Sequence, residues 1–83
     1  MPYIPQEKRY QFEGIWYFIP EDMTAGELNY VITKILKKLL GDKPNYARYN
    51  ELIGALECCK LELVRKQLSP YEDEKEKQNG KIE

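Results

Sequence analysis

The sequence predicts an all-α fold, a small helical domain built on an antiparallel pair of helices at about residues 25–40 and 46–68. Three observations predict it. Two long stretches carry apolar residues at a helical repeat. Each is preceded by residues that cap helix N-termini. No apolar stretch offers a clear partner strand to another.

The first helix opens at Thr24-Ala25-Gly26-Glu27, which fits a capping box. There a Thr hydroxyl and a Glu carboxylate satisfy the unpaired N–H groups of the first turn reciprocally. Leu28, Val31, Ile32, Ile35, Leu36 and Leu39 follow at helical spacing. Lys34, Lys37 and Lys38 gather towards the C-terminal end, where the helix dipole favours cations. Gly41 is the predicted C-cap, and Pro44 prevents continuation.

Asn45 is the predicted N-cap of the second helix. Tyr49, Leu52, Leu56, Cys59 and Leu63, spaced 3, 4, 3 and 4, draw one apolar seam along it. Gly54, Cys58, Leu61 and Leu68 draw a strip on another side. A helix with two apolar strips needs two packing partners. The preceding helix supplies one, and the N-terminal segment or a second subunit the other. Gly54 and Ala55 are small enough for a close approach.

Ser69-Pro70-Tyr71-Glu72 reads as a third start, with Ser69 as N-cap and Pro70 at the first helical position. A short charged helix to about Gln78, or a solvated tail over 72–83, follows from it. In the N-terminal part Phe12, Ile15, Trp16 and Ile19 fit one helical face. Ile15 to Ile19 is also rich in strand formers, and the absence of a partner strand favours helix.

With 83 residues, the chain reads as a single domain over 1–83. A chain of this size buries only about 60% of its unfolded surface, so self-association would stabilise it. Hydrophobic residues make up 42% and charged residues 33%, which excludes disorder throughout. The net charge of -1 lacks the basic excess of a general nucleic-acid binder. No segment approaches the roughly 18 apolar residues of a membrane span. The start, Met1 to Pro5, lacks the features of a secretory signal, so a cytoplasmic setting is expected.

Catalysis finds little support. Without histidine, no Ser-His or Cys-His pair can form. Cys58 and Cys59 are adjacent, point about 100° apart on a helix, and do not readily bridge each other. They read as small buried apolar groups. Glu51, Glu57 and Glu62 are six and five residues apart and do not share a face, which counts against a metal-dependent nucleotide hydrolase. No phosphate-cradling glycine loop occurs. No catalytic residue, metal ligand or cofactor is assigned.

Binding is better supplied. Seven tyrosines offer flat apolar faces with polar tips. Asn29 and Thr33 lie one turn apart on the first helix, with Tyr30 beside them. Tyr49 and Asn50 open the second helix, and Arg65 lies near its end. Arg65 for a ligand's charge, Tyr30 and Tyr49 for stacking, and Asn29, Thr33 and Asn50 for its polar edges would make a nucleotide-like site. The competing account has the tyrosines fill the rim of the core and the polar groups face water. In an antiparallel pair the start of the first helix lies near the end of the second, so Asn29 and Arg65 can approach. Tyr49 and Asn50 stand roughly 22 Å from Arg65 along the helix and can join it only across subunits. The competing role for Arg65 is a surface ion pair with Glu62 or Glu72, worth at most about 1 kcal/mol.

The chain resembles a small family of unknown function found in phages and prokaryotic genomes. The resemblance is carried by Gly26 to Tyr30, Ile32 to Lys34, Tyr46, Tyr49 to Glu51, Ile53 to Cys58, Glu62, Arg65, Pro70 to Lys75 and Asn79-Gly80. Val64 departs from it, since the family usually has an aromatic residue there. The resemblance implies a small helical fold, a phage or prophage setting and no particular activity. From that setting follows the expectation of a non-enzymatic protein that oligomerises and sequesters a small nucleotide-like ligand in an anti-defence role. The alternative is a module that inhibits or regulates a host protein.

Overall fold

The computed structural model describes residues 3–82. Met1 and Pro2, which open the stretch read for a secretory signal, and Glu83 lie outside the described residues. Among the described residues there are three α-helices and no strand. They are α1 (Ala25–Leu40), α2 (Tyr46–Leu63) and α3 (Ser69–Asn79), so the all-α class holds. The chain divides into two units, the first Tyr3–Leu52 and the second beginning at Ile53, and the division falls within α2.

In the first unit, Tyr3 to Pro5 lead into a 3-10 turn, Gln6–Lys8, and a nine-residue 3-10 helix, Tyr10–Phe18. The N-terminal segment is thus helical, as its apolar spacing predicts, but wound with the tighter i→i+3 bonding. In that winding side chains three apart eclipse. Phe12, Ile15 and Phe18 therefore form one column and Tyr10 and Trp16 another, so the single face predicted for Phe12, Ile15, Trp16 and Ile19 is split. Ile19 leaves the helix extended at φ -107°, as a residue before proline must.

The start of α1 carries the predicted capping box. The Glu27 N–H donates to Thr24 Oγ1 at 3.2 Å, and the Thr24 N–H donates to Glu27 Oε1 at 2.8 Å. The Thr24 N–H and, after it, the Thr24 side chain hold the Glu27 carboxyl below its ordinary pKa. At the other end Gly41 stops the helix at φ 72°, ψ -165°, a conformation essentially confined to glycine. After the short link, Asn45 Oδ1 accepts from the Arg48 N–H at 2.8 Å and caps α2.

The second unit is one uninterrupted helical run from Ile53 to Asn79. The sequence predicted a break with Ser69 as N-cap, and this is corrected. Ser69 has helical backbone angles (φ -61°, ψ -46°), and no side-chain cap bond opens α3. The join is a π-helical turn, Val64–Leu68, closed by the Ser69 N–H donating to the Val64 carbonyl. Proline has no N–H, and its ring clashes with the carbonyl four residues back in an α-helix. A turn widened to i→i+5 bonding just before Pro70 accommodates that ring without ending the helix. The run ends at Gly80, with φ 85°.

The core expected along the helix seam does not form within either unit. Among the described residues none is buried. Val31, Ile32, Leu36 and Leu40 of α1 and Leu52 of α2 are half-buried, while Leu28, Ile35 and Leu39 are exposed. The physical reason is plain in the second unit. A single helix has no inside, so Ile53, Leu56, Leu61, Leu63 and Leu68 face outwards. Helical stability in proteins comes mainly from packing an apolar face.

Candidate functional site

On α1 the structure brings Asn29 and Thr33 together. The Thr33 hydroxyl donates to Asn29 Oδ1 at 3.2 Å, which the one-turn spacing makes possible. Tyr30 pairs instead with Lys34, whose Nζ stands 6.0 Å from the centre of its ring. Lys37, Lys38 and Lys43 continue the positive charge past the end of the helix. The row is therefore a polar, aromatic and cationic strip on a convex surface.

Tyr49 and Asn50 sit in the first turns of α2 and are exposed. Arg65 belongs to the second unit, within the π turn. Its Nη2 meets Glu62 Oε2 at 3.1 Å, one of the two ion pairs the sequence offered as its competing role. The Arg65 side chain is 65% exposed and that of Glu62 20%. Each unit by itself shows exposed members of the predicted set and no concave pocket around them. Cys58 and Cys59 are both free thiols, and the burial expected of them is corrected: the first is half-buried and the second exposed, because the helix that carries them has nothing packed over it within its unit.

Sequence reading missed Arg48. Its Nε donates to the Leu39 carbonyl at 3.3 Å, capping the end of α1, and its Nη1 meets Glu51 Oε2 at 3.5 Å. A basic residue just past a short helix link is the signal that could have found it, since the last carbonyls of a helix have no internal partner.

A crease of about 570 Å³ runs along α3, lined by Tyr71, Glu72, Lys75, Glu76 and Asn79 among others. None of the predicted ligand residues lines it. It follows the outside of one helix and its C-terminal tail, and it lacks the enclosure of a ligand site. Among the described residues no group of three or more cysteine or carboxylate side chains is placed to hold a metal ion. No described helix is long and apolar enough to cross a membrane.

The helices and their uncovered faces define a small all-α domain whose apolar surface is turned outwards. The chain belongs to the family described as Domain of unknown function (DUF6899), which matches residues 1–82. No curated protein and no solved structure matches it.

Proposed function

We propose that the protein acts by binding another protein chain through its helical faces, oligomerising as it does so. One observation carries this reading: 42% of the residues are hydrophobic, yet none of those described is buried. Leu28, Ile35 and Leu39 of the first unit and Ile53, Leu56, Leu61 and Leu63 of the second present apolar surface that nothing within their own unit covers.

A second observation keeps small-ligand capture in view. Asn29, Thr33, Tyr30 and the lysines of α1 gather polar edges, a ring and positive charge on one helix. Set against the same surface of another chain, with Tyr49, Asn50 and Arg65 contributed across the interface, such a row suits a small nucleotide-like anion. The protein would then sequester that ligand without transforming it. In the phage or prophage setting implied by the family resemblance, either form of binding would serve an anti-defence role.

Sedimentation equilibrium tests the first reading. An oligomer at low micromolar concentration, losing helicity on dilution, is the expected result. A folded monomer at high micromolar concentration would overturn it. Thermal shift against a nucleotide library, followed by mass spectrometry of the bound compound, tests the second. Unchanged release supports sequestration, conversion reveals an enzyme, and no hit leaves protein binding alone.

A further inference from the structure

We propose that the π turn is a two-state joint, straight in the form seen here and bent in a second form in which Ser69 caps a separate α3. The inference is independent of the protein-binding reading, whose apolar surface the joint reshapes. Three observations meet at Ser69. Its backbone is helical (φ -61°, ψ -46°) although Pro70 follows it. Proline favours extended backbone at the residue before it, as Ile19 before Pro20 shows. Next, Pro70 has no N–H, so in the straight form one carbonyl of the preceding turn loses its helical donor. At the first position of a helix that missing donor costs nothing. Last, Ser69-Pro70-Tyr71-Glu72 repeats the spacing of Thr24-Ala25-Gly26-Glu27, the capping box that opens α1.

Thr24 supplies the backbone of the bent form. Its φ of -76° is close to that of Ser69, whereas its ψ of 164° is far from it. Rotation about ψ of Ser69, with φ nearly unchanged, therefore carries the joint from one form to the other. The bonds exchange as it turns. The Ser69 N–H leaves the Val64 carbonyl for the Glu72 carboxylate, and the Glu72 N–H donates to Ser69 Oγ. Little packing resists the swing, since Tyr71 is the one large apolar residue from Ser69 to Asn79. The apolar surface differs between the two forms. In an unbroken α-helix, at 100° per residue, Leu68 would point about 140° away from Leu63. The π turn takes up one extra residue between them, so Leu68 stands over Leu63, and Tyr71, one turn later, keeps the line. Leu56, Cys59, Leu63, Leu68 and Tyr71 thus make one exposed seam in the straight form. In the bent form the Val64 carbonyl passes to the Leu68 N–H, Leu68 rotates off the line, and Tyr71 leaves with α3. The seam then ends at Leu63.

Spin-label distance measurement tests the joint in the full-length chain carrying Cys58→Ser and Cys59→Ser. Labels are attached at Glu57→Cys and Lys77→Cys, and the labelled chain is diluted in unlabelled chain so that only distances within one chain are read. The straight form sets the two positions about 30 Å apart, and the bent form adds a shorter distance. Ser69→Ala removes the cap and is expected to lower the ratio of short to long distances about fivefold. Ser69→Asp, an equally good cap, is expected to keep the short distance. A single distance of about 30 Å, or a short one that Ser69→Ala leaves unchanged, would overturn the joint. Should the double serine variant lose its helicity, the Cα and Cβ chemical shifts of Ser69 in the unchanged chain read the same equilibrium. Values between helical and extended support the joint, and wholly helical values overturn it.

Discussion

Replacing Leu63 with alanine separates a helix position that stays exposed from one that another chain covers. Leu63 is 63% exposed in the single chain. Fully burying a leucine contributes about 1.5–3 kcal/mol, so covering the exposed part contributes about 1–2 kcal/mol. An oligomer contact that covers Leu63 in both copies counts the residue twice, giving about 2–4 kcal/mol per dimer. At about 1.4 kcal/mol per factor of ten, the dimer Kd rises about 30- to 1,000-fold. Alanine is at least as good a helix former as leucine, so helicity is retained at concentrations that keep the chain associated. Leu61 provides the control. It is 54% exposed and lies on the far side of the helix, so Leu61→Ala should stay within about 0.5 kcal/mol, roughly a factor of two in Kd. Sedimentation equilibrium at concentrations bracketing the transition measures both. Equal effects at 61 and 63, or an unchanged Kd for Leu63→Ala, would refute the seam.

Four further outcomes are expected. Thr24→Ala removes the acceptor of the Glu27 N–H and costs about 1 kcal/mol of helix stability, read as faster amide exchange in the first turn of α1. Because Glu27 is held below the ordinary carboxylate value, its contribution is fully present above about pH 4.3 and is lost as the pH falls through its lower folded pKa. The amide protection factor at the start of α1, corrected for the intrinsic pH dependence of exchange, should fall in that acid window in the wild type, and Glu27→Gln should remove that fall. Gly41→Ala forces an L-residue into a glycine backbone conformation and costs about 1–3 kcal/mol, measured by thermal unfolding. A methyl group added at Gly54 would meet nothing within 4 Å, so Gly54→Ala should stabilise α2 by about 1 kcal/mol, whereas destabilisation would reveal a close approach of another helix there.

Much of the local structure was legible in the sequence because it is decided within a few residues. The Thr24–Glu27 capping box, the stop at Gly41 and the Asn45 cap all depend on bonds between near neighbours. The same holds for the Asn29–Thr33 pair and for the Arg65–Glu62 ion pair, each set by one helical turn. The tighter winding of Tyr10–Phe18 was not legible, because apolar spacing at three fits both 3-10 and α geometry over so short a run.

What only the structure decided is the phase and continuity of the second unit. The sequence alone determined an all-α class, two long helix-forming stretches, a third left open between helix and tail, and an apolar seam ending at Leu63. Ser69-Pro70 resembles a fresh helix start because the same residues suit an N-cap and a widened π turn. Which one forms depends on whether the Val64 carbonyl receives the Ser69 N–H, a bond that no residue type announces. That single bond turns Leu68 and Tyr71 onto the seam and makes two apolar stretches one surface. Burial, likewise, is a property of whatever lies opposite a side chain, and in this protein nothing within either unit encloses one.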